Sequence, residues 1–558
     1  MPVFNPKKEE EMLFKNTVCK SFTLSHEYLP PKRFVLKDGV ENTAVIAKGG
    51  YKEPLVSLRR ACIIPAGGFL LVDFGEELSG GLRLVFHKNE GKKIRIVLGE
   101  SCAEALSSLG EFSSTNDHAV RDTVLDISSY GVLEYGNSGF RFAKICAEDG
   151  TVALMGLFAR ADYAKLPWLG SFESSDKRLN EIWRVAARTV HLCTQDVIYD
   201  GIKRDRLVWA GDMHPEAKAS LALFGATDSL KRSLDLLKET TQKGAWMNGI
   251  PSYSLWWVII QYELYMYSGD KDYLLKSIDT VLEILLQFAK QISQDGTINA
   301  LDSFVDWSTV LNNSAKEAAF QSLAIIAYDR GGYLCQALGG EDFSAVAQSL
   351  LQYKKRLVRR VPWSINLHAL ALQVLSGQKN LDEAMPTLLK DTAKNISVFY
   401  GYYVLSALSL GGNEKHALDT VKKYWGAMLD LGATSFFENF DLAELSGDLP
   451  PLKIDTPPTE GYKNIYAEGG AHCYRGYRRS LCHGWSSGPL PWISEFLLGI
   501  KILEPGCKRV MVKPCLAGLS FIRGTYPTPY GNITVSVTKT QGEPLVEITA
   551  PDGVEIVR

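Results

Sequence analysis

The stretch Tyr199–Glu216 reads Y-D-G-I-K-R-D-R-L-V-W-A-G-D-M-H-P-E, and no other part of the chain carries as much chemistry. It sets Asp200, Asp205, Asp212 and Glu216 among Lys203, Arg204, Arg206 and Trp209. So many charges make a poor apolar core, because each unpaired buried charge is costly. They suit a sugar. Carboxylates exchange protons and hold hydroxyls, guanidinium groups fix the carboxylates, and an indole stacks on an apolar sugar face. A solvated loop with surface ion pairs is the plainer reading of any charge run. Trp209 and the pair Leu207-Val208 count against it here. Asp212 and Glu216 stand four apart and would share one face of a helix.

Glycoside hydrolysis needs two carboxyl groups flanking the scissile bond, one protonated and one ionised. The first can come from Asp200, Asp205, Asp212 or Glu216. The second approaches from the other side of the ring and should be remote in sequence. Gly432–Phe440, G-A-T-S-F-F-E-N-F, places the single acid Glu438 among aromatic residues. Such neighbours can hold a carboxyl in a low dielectric and tune its pKa. A solvent-exposed loop glutamate is the competing reading. Two further clusters suggest a cleft. Tyr253-Ser254-Leu255-Trp256-Trp257 opens a helix, and Asp306-Trp307-Ser308 sits between helices. Trp256 and Trp257 cannot face the same way, so at least one belongs to a core. Trp307 beside Asp306 pairs a stacking ring with an acid, although a loop tryptophan can also simply plug a fold. His483, in S-L-C-H-G-W-S-S-G-P, is flanked by small residues that would let a ligand approach; a lone histidine can equally be structural.

Composition narrows the partners. Lys plus Arg number 61 and Asp plus Glu 63, a net charge of -2, which offers neither a nucleic-acid footprint nor a basic membrane patch. The ten cysteines are scattered without a C-x-x-C pair, and no His spacing supports a metal. No G-x-S-x-G or P-loop is present. Met1–Lys20 is charged and lacks an apolar core, so the expected location is cytoplasmic unless a leader was trimmed. The expected partner is a small-molecule or oligosaccharide substrate, with no nucleic acid and no membrane. Homo-oligomerisation stays open.

The elements that must position these residues fall into three blocks. Residues 1–165 alternate in short runs such as Leu82-Arg83-Leu84-Val85-Phe86, with turn signals at Gly75, Gly80-Gly81 and Asn137-Ser138-Gly139. They predict an N-terminal antiparallel β-sandwich, jelly-roll-like. Ser174-Ser175-Asp176 then reads as a helix cap. Over 166–505 apolar residues recur at spacings of three and four, as in 228–238, 274–293, 315–337 and 415–431. About a dozen helices in paired hairpins fit a closed (α/α)6 barrel; an open α-solenoid is the competitor. Residues 506–558 return to strands and predict a small C-terminal β-sandwich that docks on the helices.

These motifs resemble those of the α-L-rhamnosidases of glycoside hydrolase family 78 over most of the chain. Asp200–Asp212 is similar to the family's acidic segment. Gly432–Glu438 resembles its G-A-T-[ST]-x-W-E, with Phe437 in place of Trp. Ser480–Pro489 matches its S-L-C-H-x-W-[SG]-[AS]-G-P. The resemblance implies inverting, exo-acting removal of terminal rhamnose without a cofactor, with Glu438 as general base. Many members carry a glutamate as general acid in D-x-x-x-R-D-E-R-x-G-W; this chain has none there. A shorter register places Asp205 in the acid's slot. Asp200, Arg204, Trp209, Asp212, Trp257, Asp306, Trp307 and His483 would bind the sugar. Asp is one methylene shorter than Glu, so Glu216 could reach in instead. Action on another deoxysugar, or a catalytically silent sugar binder, stays open.

Overall fold

The computed structural model describes residues 24–47, 61–298, 303–310 and 312–558. The charged stretch Met1–Lys20, with Cys19, lies outside them. Eight strands build an antiparallel N-terminal sheet: β1 (Ser25–Leu29), β2 (Arg33–Asp38), β3 (Cys62–Ile64), β4 (Phe69–His87), β5 (Lys93–Gly99), β6 (Asp122–Asp126), β7 (Tyr130–Ala147) and β8 (Val152–Tyr163). Its path runs β1-β8-β4-β7-β5-β6, with β2 joined to β4 and β3 to β8. Strand alternation divides its side chains. Leu70 and Val72 bury within the sheet's own core, whereas Leu71 between them packs into the core of the helices.

The glycines read as turns lie inside long strands. Gly80 and Gly81 belong to β4 and Gly139 to β7. A Cβ on Gly80 would stand 2.0 Å from the Arg160 carbonyl oxygen of β8. The β4–β7 register shifts on both sides of it. These glycines serve bulges and close backbone approach rather than chain reversal. At Gly139 the approaching backbone is the acidic segment itself, with Ile202 Cγ1 2.8 Å and Lys203 N 3.0 Å from where a Cβ would be.

The helices follow: α1 (Lys177–Cys193), α2 (Met213–Leu223), α3 (Asp228–Thr240), α4 (Pro251–Ser268), α5 (Lys271–Ala289), α6 (Asn313–Leu338), α7 (Glu341–Val358), α8 (Leu367–Leu375), α9 (Leu381–Leu388), α10 (Gly401–Leu410), α11 (Glu414–Asp430) and the short α12 (Pro489–Trp492). Asp176 caps α1, its carboxylate accepting from the Arg178 and Leu179 amides. Pro251 opens α4 and Gly269, at φ 66°, closes it. Side by side, α2 packs on α4, α4 on α6, α6 on α8, α8 on α10, α10 on α12, and α12 on α2. The helices α1, α5, α7, α9 and α11 each pack against members of this succession, and α11 touches α1.

Two small sheets complete the chain from β9 (Ser171–Ser174), β10 (Ile500–Ile502), β11 (Arg509–Val512), β12 (Phe521–Thr528), β13 (Gly531–Thr538), β14 (Leu545–Thr549) and β15 (Glu555–Val557). Their orders are β10-β11-β15 and β14-β13-β12-β9. Strands β9 and β10 lie within the expected helical block 166–505 yet pair with strands of 506–558. A stretch of this size buries little surface alone, and it borrows a strand from each end of the helical region.

Candidate active site

Three chain segments, read separately in the sequence, are stitched edge to edge. The Glu438 amide donates to the Ser480 carbonyl at 3.0 Å, and the His483 amide to Phe436 at 3.0 Å. Gly484 N–H then donates to the Asp200 carbonyl at 2.8 Å, and Gly201 bridges His483. Backbone bonds rather than side chains alone thus bring together residues more than two hundred positions apart.

A charged brace from the N-terminal sheet holds the seam from below. Lys203 is buried, with Nζ 2.8 Å from Glu104 and 3.3 Å from Glu100. It also donates to the Tyr477 and Arg479 carbonyls at 2.6 and 3.0 Å. Glu100 accepts from Ser480 Oγ at 3.0 Å and the Leu481 amide at 2.6 Å. Burial raises the Glu100 carboxyl, against the pull of Lys203.

Above the seam a cavity of about 290 Å³ is lined by Asp200, Arg204, Asp205, Trp209, Asp212, Tyr253, Trp307, Glu438, Tyr474, His483 and Trp485, with Ile250, Phe304 and Cys473. Glu438 is buried at its base. Its Oε2 accepts from the Ser480 amide at 3.0 Å, its carbonyl accepts from Trp485 Nε1 at 3.0 Å, and its Oε1 pairs with Arg204 Nη2. The other arm of the same guanidinium, Nη1, donates to Asp205 Oδ1 at 2.8 Å. One arginine therefore spans both carboxylates. Burial opposes its charge, but Glu438 and Asp205 outweigh burial and raise its pKa. Asp205 is the more exposed of the two, with a side chain 20% accessible against 2% for Glu438. Its backbone and that of Arg206 are left-handed, both at φ 55°.

A second acidic group faces His483. Its Nε2 lies 3.6 Å from Asp200 Oδ2, 3.9 Å from Asp212 Oδ2 and 3.7 Å from Glu438 Oε1. Burial lowers the His483 pKa against the pull of Glu438 and Asp212. Asp200 accepts from the Leu207 amide at 3.0 Å, and burial, then Asp205, raise its carboxyl well above the usual range. Asp212 accepts from Tyr253 Oη at 2.6 Å, and burial lifts it to about 7. Glu216 lies deeper in α2 against Gly484, raised by burial and then by Asp212. Its Oε1 has no hydrogen-bond partner among the described residues. Carboxyls neutral near pH 7 can donate as well as accept, which suits sugar hydroxyls. Among the described residues, Asp200, Asp212 and His483 also hold donor atoms within 4.8 Å of one another, the reach of a metal trio. Sequence spacing could not have revealed it, because its members come from distant segments.

Two residues expected at the sugar do not line this cavity. Trp257 is fully buried, its Nε1 donating to the Leu234 carbonyl of α3 at 3.1 Å. It fills the contact between helices, and Tyr253, one turn earlier, lines the cavity instead. Asp306 caps the turn Trp307–Thr309, accepts from Ser397 Oγ at 3.0 Å and faces His368 at 3.5 Å. It lines a neighbouring cavity, not the acidic one. Trp307 borders both, stacked on His472 at 4.5 Å and donating to Tyr474 Oη at 2.9 Å. Sequence reading also missed Tyr474 and the Lys203–Glu100–Glu104 brace. A lysine inside an acidic segment was the only sign of the brace.

Comparison with known proteins places these features. Residues 167–328 match the bacterial alpha-L-rhamnosidase 6 hairpin glycosidase domain, and residues 499–557 the bacterial alpha-L-rhamnosidase C-terminal domain. A curated alpha-L-rhamnosidase from Alteromonas sp. (strain LOR) is 22% identical over 86% of this chain, which spans 55% of that protein's length. The GH78 family rhamnosidase of Bacillus sp. GL1 superposes with a TM-score of 0.74 at 20% identity, covering 92% of this chain and 55% of the other. The Klebsiella oxytoca rhamnosidase with rhamnose bound gives 0.67 at 21% identity, covering 85% and 96%. Residues 167–328 and 499–557 thus match two domain models of bacterial alpha-L-rhamnosidases, and the fold is the one these solved rhamnosidases share.

Proposed function

We propose that this chain hydrolyses terminal α-L-rhamnosides with inversion, Glu438 activating a water and Asp205 supplying the proton. The observation that carries the reading is that these two carboxylates, from remote segments, line one cavity and grip opposite arms of Arg204. Inversion needs the carboxyls about 6.5–9.5 Å apart, with room for water between them; a guanidinium standing between them supports that spacing. Asp200, Asp212 and His483 would hold the sugar hydroxyls, and Trp209, Trp307 and Trp485 would bound the ring. We further infer a closed (α/α)6 barrel, supported by the succession from α2 round to α12 and back. The branching of β2 and β3 off the N-terminal sheet supports a sandwich there.

The test is release of phenol from an aryl α-L-rhamnoside, with the anomer first formed read by NMR. β-L-Rhamnose as first product supports inversion; α-L-rhamnose refutes it. A silent sugar binder is the second reading, favoured by the acid being one methylene short and already paired with Arg204. Thermal stabilisation by rhamnose without turnover would select it.

A further inference from the structure

The loop Glu111–Arg121, between β5 and β6 of the N-terminal sheet, reaches over to Asp205. His118 Nε2 lies 3.6 Å from Asp205 Oδ1 and 3.7 Å from Asp117 Oδ2. Its side chain is 32% accessible, so it touches solvent, whereas Asp205 is more enclosed. The loop is held firmly. Asn116 Oδ1 accepts the Arg121 and Asp122 amides at 3.1 Å each, and Arg478 pairs with Asp117 at 2.7 Å. Burial works against the Asp117 charge, but Arg478 outweighs it and lowers its pKa. Phe112, Ser113 and His118 all have left-handed backbones, at φ 45°, 64° and 64°. Backbone of this kind in residues other than glycine costs about 1–3 kcal/mol each and persists where surrounding contacts impose it. The charged groups facing the imidazole are thus Asp117 with Arg478 on one side, and Asp205 with Arg204 on the other.

We propose that His118 is a positioning and proton-relay residue for Asp205, so that the acid arm of this enzyme is a pair contributed by two regions of the chain. The inference rests on the hydrolase reading above. An imidazole ordinarily exchanges its proton between pH 5 and 8, and a contact of this length can tighten when a substrate binds. As the bond from the anomeric carbon to the leaving oxygen breaks, its electron pair stays on that oxygen, which takes the Asp205 proton. Glu438 takes a proton from the water that forms the new bond and later loses it to solvent. The His118 imidazolium returns a proton to Asp205 and reloads from solvent. The sum is one water added.

The test uses the full chain and aryl α-L-rhamnosides graded by leaving group, from 2,4-dinitrophenol, which departs without a proton, to phenol, which needs one. His118→Ala should lower kcat on the phenyl substrate about 100-fold, the scale of general acid catalysis, and change the dinitrophenyl substrate less than about 2-fold. KM should stay near the wild-type value, the pH profile of kcat/KM should change on its alkaline limb, and millimolar imidazole should restore much of the loss. A uniform loss on every leaving group, or no loss on the phenyl substrate, overturns the relay. Failure of the hydrolase reading itself looks different: the wild-type chain would then leave even the dinitrophenyl substrate intact, and both inferences fall together.

Discussion

Glu438 is buried, its carboxylate accepting from the Ser480 amide and its carbonyl from the Trp485 indole, whereas Asp205 is 20% accessible on a left-handed turn, beside Arg204 and His118. Both segments meet the N-terminal sheet: Arg141 donates to the Gly432 carbonyl and the Glu77 amide to Thr434 ahead of Glu438, whereas at the Asp205 carboxylate the sheet contributes the longer His118 contact. The difference suggests a division of labour. On the proposed roles, the enclosed carboxyl would place the water and the more exposed one would follow the departing group.

The comparison can be broken most directly at the base. Glu438→Gln should cut turnover about 1000-fold on every leaving group, within the range for a lost general base. Comparable activity in that variant would refute the assignment. Next comes the brace. Lys203→Met leaves Glu100 and Glu104 buried without their shared cation, and should cost about 3 kcal/mol in denaturant unfolding; an unchanged midpoint would mean that the seam is not held from below. Asp205→Asn should lower kcat about 100-fold on poor leaving groups only, and Asp205→Glu should keep more activity than Asp205→Asn. Equal activity of the two would remove Asp205 from the acid's place. The smallest effect is in pH. The folded Asp212 value of about 7 lies above its unfolded value of about 3.9. The folded chain therefore keeps a proton that the unfolded chain has lost between these limits, and stability falls as pH rises from about 4 to 7. Asp212→Asn should flatten that fall by about 2 °C in Tm.

Sequence legibility followed the same divide. Helices with one apolar stripe, such as α3 and α11, could be read to within two residues, because their period is visible. Helix α2 could not, since it is buried almost all round and shows no period. In the sheet, glycine was the misleading residue. Gly80 and Gly139 look like turns, yet they are places where another backbone comes too close for a side chain. Asp200, Arg204, Trp209, Asp212 and His483 were legible as a group because their motifs carry several chemistries at once. Trp257 and Asp306 were misplaced because residue type was weighed without direction along a helix or turn. His118 was invisible: its partner is across a domain junction, and nothing in its own neighbourhood marks it.

Strand β9 lies just ahead of the helices, yet its partner β12 comes near the end of the chain, with Glu173 and Arg523 paired across 350 positions. On the ribosome, β9 must wait as a bare edge while every helix is made, and exposed edges of this kind invite mispairing. The last sixty residues thus act as a clasp on the nascent chain. Without β12 to pair with, the helices would carry β9 as an unpaired, aggregation-prone edge.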